Sequence, residues 1–159
     1  MNAYILGKLN YLLPIYLNAP KYLINKLHKV IMAAARSAIG SYCFKKSTIY
    51  ILNKLNWLSI DKLIIYSSIC YIHKIIKLNQ PESMMDLFRT KVSNRAISKW
   101  YTNYQPKTIQ MKNFYIYKAL EYFYNLPKPI QNCKHNNFKS KLKNYLKSNE
   151  ICVRFWGLI

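Results

Sequence analysis

Apolar residues recur every three or four positions along most of this chain, and that spacing predicts helices. The clearest run lies between Lys21 and Lys77. KYLINKLHKVIMAAARSAI reads as one helix over 21–39, stopped by Gly40. A short second helix over 47–56 follows Ser47, whose hydroxyl can cap a helix start. Its apolar positions are Ile49, Leu52 and Leu55, and Trp57 follows as a core anchor. A third helix runs over 60–77. Ser59 caps it, Asp61 suits the positive end of the helix dipole, and Leu58 with Leu63 are spaced as a hydrophobic staple.

At 3.6 residues per turn the first helix has two sides. Leu23, Leu27, Val30, Ile31, Ala34 and Ala38 fall on the apolar side. Lys21, Asn25, His28, Lys29, Met32 and Arg36 fall on the other. Ala33-Ala34-Ala35 lets another helix approach closely. The third helix is apolar except for a narrow stripe of Lys62, Tyr66, His73 and Lys77, so it is the expected centre of the core. His73 reads as a surface residue of that stripe.

The flanks are less regular. Residues 3–13 suit a helix that ends or kinks at Pro14, and Asn18-Ala19-Pro20 suits a turn before the next helix. SMMDLF after Pro81-Glu82 suits a short helical piece. From Arg89 to Lys112 the helical period dissolves into a basic loop or extended arm that also carries Trp100, Tyr101 and Tyr104. Basic residues interleaved with aromatics suit backbone contact plus base stacking on single strands; a plain surface connector is the other reading. NFYIYKALEYFYN returns to helix, ended by Leu126-Pro127. NNFKSKLKNYLKS predicts a last basic helix with Phe138, Leu142, Tyr145 and Leu146 inward. The segment 151–159 is apolar. The fold expected is mainly α: a small helical bundle with a basic loop or extended arm and C-terminal helices. The expected division is a helical unit at 1–88, a connector at 89–112 and a C-terminal helical segment at 113–159.

Charge adds a partner to this plan. Twenty-five Lys and Arg stand against five Asp and Glu, a formal charge of +20. Such a charge repels itself unless an anion binds it; nucleic acid is the usual one and a membrane surface the next, while an AT-rich coding bias that favours Lys is the bland reading. The basic residues singled out are Lys21, Lys29 and Arg36 on the first helix, Lys45 and Lys46 in the link after it, and Arg89, Lys91, Arg95 and Lys99 in the arm. Lys134, Lys139 and Lys141 near the last helix are expected to matter less.

Little catalytic chemistry is on offer. The carboxylates are Asp61, Glu82, Asp86, Glu121 and Glu150, and only Glu82 and Asp86 are close in sequence. Two-metal phosphoryl transfer needs more than that. Glycines stand only at 7, 40 and 157, so no glycine-rich phosphate loop exists. Cys43, Cys70, Cys133 and Cys152 are far apart and form no CxxC. They read as reduced thiols of an intracellular protein, nuclear or cytoplasmic. No metal site, cofactor or membrane span is expected.

Several short motifs, in order, resemble a known family. They are Leu9-Asn10-Tyr11-Leu12-Leu13-Pro14-Ile15-Tyr16, then Leu23 to Leu27 with Ala34-Ala35-Arg36, then Ile51-Leu52 with Trp57-Leu58-Ser59-Ile60. His73-Lys74-Ile75-Ile76, Pro81-Glu82, Tyr124-Asn125-Leu126-Pro127, Phe138-Lys139 and Leu142 to Leu146 complete the series. The series resembles the region after the catalytic palm in reverse transcriptases of non-LTR retrotransposons, particularly jockey-like insect elements. It departs at Tyr124-Asn125-Leu126-Pro127, which lacks one intervening residue. The resemblance covers residues 3–148 and implies a thumb with a following helical segment. A thumb grips a template–primer duplex by its phosphates. The palm's Tyr-x-Asp-Asp metal site has no counterpart in the chain, so the resemblance implies a fragment of an RNA-directed DNA polymerase that does not polymerise alone. Its implied partners are RNA or DNA, and the palm and fingers of the parent polymerase. Two alternatives stand beside it: a non-functional structural remnant of a mobile element, and a basic membrane-surface protein.

Overall fold

The computed structural model of the chain describes residues 12–40, 46–78, 88–93, 96–102 and 114–148, with Gly7, Glu82 and Thr108 singly; for 88–93, 96–102, His135 and Asn136 it describes the backbone alone. The expected helix at 3–13, the SMMDLF piece, Lys45, Arg95 and the segment 151–159 lie wholly or mostly outside those residues.

The protein is mainly α-helical. Among the described residues the first full element is a 3-10 helix over Leu13–Asn18 (η1), with Pro14 in its opening turn. Then come α1 (Lys21–Ile39), α2 (Thr48–Lys54) and α3 (Ile60–Leu78). An antiparallel hairpin of β1 (Phe88–Ser93) and β2 (Ala96–Thr102) is the extended arm. Helices α4 (Tyr115–Tyr124), α5 (Lys128–Gln131) and α6 (His135–Ser148) close the described chain.

Local chemistry sets the boundaries. The Tyr50 amide donates to Ser47 Oγ, so Ser47 caps α2 as its sequence suggests. Asn56 takes a left-handed φ of 57° just after α2. There the Asn56 amide donates to Asn53 O and the Trp57 amide to Leu52 O, the paired bonds that close a helix C-terminus. Asparagine is one of the few residues that enter this conformation readily. Gly40 ends α1 with φ 101° and ψ 165°, backbone that only glycine adopts without strain.

Helix α3 is the centre of the core. It buries Ile60, Ile64, Ile65, Ser68, Ile69, Ile72, His73 and Ile75, more than any other described helix. It packs on η1, α4 and α6. Leu13, Leu17, Ile24, Ile31, Leu58, Ile116, Leu120, Phe123, Leu142 and Leu146 join the same cluster. A smaller cluster of Met32, Ala35, Ile51 and Leu52 fastens α2 to α1. At ten residues, α4 is too short to be stable alone in water, so its packing on α3 holds it. Ser68 is buried and donates its hydroxyl to Ile64 O, four residues back. Gln131 Nε2 donates to Tyr124 O and Leu126 O, which ties α5 to the end of α4.

Three helix faces differ from the expectation, the smallest difference being on α2, where Ile51 is buried and Ile49, expected inward, is exposed. The buried side of α1 is Ile24, Ile31, Met32 and Ala35, while Val30 is 54% exposed. The helix is turned by roughly a quarter relative to its apolar stripe, at about 100° per residue. The reason is that α2 packs on the Met32–Ala35 side and α3 on the Ile24–Ile31 side. Trp57 and Leu27 are half-buried against the main cluster with Ile31 inside it, as the sequence implied for the anchor. His73 is the third difference: it is fully buried, not at the surface. Its ring stacks on Phe138 of α6 at 3.7 Å between centroids. Helix α6 covers the polar stripe of α3 at His73, so that part is a seam, while Lys77 at the end of the stripe stays exposed.

Candidate nucleic-acid interface

The expected basic residues occupy three places. On α1, Lys21 and Lys29 are exposed and Arg36 is half-buried. Their spacing of eight and seven residues keeps them within one side of the helix, over roughly 22 Å at about 1.5 Å per residue. Helix α1 contains no carboxylate. Arg36 Nε is buried without a hydrogen-bond partner among the described residues, beside Met32 and Ala35 of the smaller cluster.

Beyond Gly40 the exposed Lys46 places its Nζ 4.8 Å from the centre of the Tyr50 ring. Cation–π contact of this kind fixes a long side chain that would otherwise roam. Lys26 sits likewise 5.9 Å from the Tyr22 ring on α1.

The hairpin gathers the third group by its register. Lys91 pairs with Lys99 and Arg89 with Tyr101, so these four positions share one face of the ribbon. Thr90 and Trp100 pair on the other face. Like charges directly opposite each other weaken a strand pair. The sequence shows the alternation of basic and aromatic residues but not which of them face each other, because register depends on where the chain turns.

A further basic group lies on α6. Phe138, Leu142 and Leu146 of α6 are all buried. One row further round the helix, Lys139 and Lys147 are exposed and Lys143 is half-buried. Lys147 Nζ donates to Asn56 Oδ1. The i, i+4, i+8 spacing of these lysines is legible in the sequence once the apolar side is fixed.

Two thiols lie among the described residues, Cys70 and Cys133. Burial pushes the Cys70 thiol up to about 11, against a hydrogen bond from Tyr66 and the positive charge of Lys139, which pull it down. It stays protonated at neutral pH, and a protonated thiol is a poor nucleophile. Burial raises the Tyr66 hydroxyl as well, helped by the nearby Cys70. Cys70 and Cys133 are both free thiols. Among the described residues no three His, Cys, Asp or Glu side chains come together to hold a metal ion. Among them, too, no helix is long and apolar enough to cross a membrane. No protein-family model matches the chain, and no curated protein or solved structure matches it either.

Proposed function

We propose that the chain is the thumb-like, post-palm part of a non-LTR-type reverse transcriptase, and that it holds nucleic acid by its phosphate backbone inside the cell. The carrying observation is α1: exposed Lys21 and Lys29 with Arg36 on one side, and no carboxylate on the helix. The hairpin face of Arg89, Lys91, Lys99 and Tyr101 supports the same reading. So does the ordered series of family-like motifs from Leu9 to Leu146, set in a mainly helical fold. Backbone binding needs only matched positive charge, and it accepts RNA or DNA.

In this reading the chain positions nucleic acid and performs no chemistry. The purified chain with template, primer, nucleotides and magnesium is expected to show no extension above a heat-killed control. Binding is expected to be nearly independent of sequence and steeply dependent on salt. With about five phosphates neutralised, log affinity falls against log salt with a slope of roughly −4 to −5 on duplex DNA. Replacing Lys21, Lys29 and Arg36 together by alanine is expected to make the slope shallower by about 2 to 3 units. The helix survives, since alanine favours it. A slope unchanged by the triple substitution overturns the assignment of α1.

One observation favours the remnant reading. Ile15, Tyr22, Val30, Ile49 and Tyr50 are exposed apolar or aromatic side chains, Ile49 at 72%. Such residues suit surfaces that once met another domain. Equal salt-slope losses from the α1 triple variant and from an unrelated lysine triple would mean diffuse charge, and would favour that reading.

A further inference from the structure

We propose that Lys139, Lys143 and Lys147 of α6 form a second phosphate-binding track, distinct from α1, along which a nucleic-acid backbone runs toward the turn at Asn56. The inference rests on the nucleic-acid reading above and adds a face to it.

The geometry carries the argument in three steps. First, the rotation of α6 is fixed. Phe138, Leu142 and Leu146 are buried along its inner side, and Phe138 stacks on His73 of α3. Lys147 at the other end of α6 reaches Asn56, just before α3 begins. The two helices therefore run antiparallel, and the lysine row is held at the edge of their seam. Second, the row is regular. Neighbours at i, i+4 have Cβ atoms roughly 5–6 Å apart, and the three lysines span roughly 12 Å of helix axis. Exposed Ser140 and Asn144 lie next to the row and add polar groups suited to phosphate oxygens. Third, the row is uncompensated. Helix α6 holds Lys139, Lys141, Lys143 and Lys147 and no carboxylate. Like charges at i, i+4 destabilise a helix, so an anion along the row relieves a repulsion built into the fold.

The same geometry favours nucleic acid over a lipid surface. A helix that lies on a membrane sinks a free apolar face between the headgroups. The apolar face of α6 is used up inside the core. What remains outside is lysine, serine and asparagine, which suit a phosphate backbone.

The test measures binding of the full chain to a labelled 20-base-pair duplex, by fluorescence anisotropy across a salt series. The row variant carries Lys139→Ala, Lys143→Ala and Lys147→Ala. The control carries Lys128→Ala, Lys134→Ala and Lys141→Ala, three exposed lysines off the row. Both change the charge equally. With the row's three contacts added to the five above, the slope of the unaltered chain is roughly −7; the row variant is expected to make it shallower by about 2 to 3 units, from about 0.9 per lost contact, and the control by less than about 1. A second row variant with glutamine at the three positions keeps side-chain length and decides the matter if the alanine form loses helix by circular dichroism. An unchanged slope for the row, beside a shallower one for the α1 triple, overturns this inference and leaves the proposed function standing. Equal losses from row and control overturn it as well. Absence of duplex binding by the unaltered chain overturns both readings. Binding to phosphatidylserine vesicles that matches duplex binding and falls equally in the row variant overturns the choice of nucleic acid.

Discussion

Phe138→Ala is expected to lower the unfolding free energy by about 3–5 kcal/mol, the range for removing a buried phenylalanine ring. Phe138 is only 1% exposed. Its ring lies 12° from parallel to the His73 ring and 6.4 Å from the centre of Phe123. Three helices, α3, α4 and α6, thus meet at three rings. Truncation removes the transfer energy of the ring, leaves a cavity, and takes away aromatic contacts worth about 0.5–1.5 kcal/mol more per pair. Total stabilities of single domains run to about 5–15 kcal/mol, so one substitution removes a large share. Chemical denaturation should show a lower midpoint at unchanged slope. Val30→Ala, at a position 54% exposed, should stay within about 0.5 kcal/mol. A loss under about 1 kcal/mol at Phe138 would mean that α6 does not depend on this ring cluster.

The longer helices were legible, while η1, the two hairpin strands and α5 were not. The bounds of α1 and α3 follow from apolar period and from Gly40 and Ser59, and α6 follows from Phe138, Leu142 and Leu146. Also not legible is which side of each element meets another. A period of 3.6 gives an amphipathic stripe, but neighbours choose the buried side. Helix α1 is pulled round by α2, so Met32 goes in and Val30 stays out. His73 looks wet in a stripe with Lys62 and Lys77, yet α6 covers its part of the stripe while Lys77 stays exposed. The same limit applied to the candidate interface. Lys21, Lys29 and Arg36 could be placed on one side of α1 from spacing alone. The pairing of Lys91 with Lys99 needed the hairpin register, and the placing of the Lys139–Lys143–Lys147 row needed the seam. The left-handed stop at Asn56 carried a weak signal, an asparagine at the end of a short helix, and Trp57 after it is where the two clusters join.

Trp57→Ala is expected to cost about 3 kcal/mol, the low end for a large aromatic because the ring is half-buried. Its distinguishing effect is where the loss falls. Trp57 packs against both the main cluster and the smaller Met32, Ala35, Ile51 and Leu52 cluster. Helix α2 is only seven residues long, so tertiary contacts supply its stability. The Trp57 amide still donates to Leu52 O after truncation, and Ser47 still caps the other end. The backbone of α2 is left closed but its ring contact to the rest of the protein is lost. Native-state hydrogen exchange should then show α2 amides losing protection well before α3 amides, whose buried isoleucines remain packed on α4 and α6. Trp57→Phe should restore most of that difference, since a ring still spans the two clusters. An equal fall in protection across α2 and α3 would show instead that Trp57 acts as one more residue of a single core, and that the smaller cluster is not a separately opening unit.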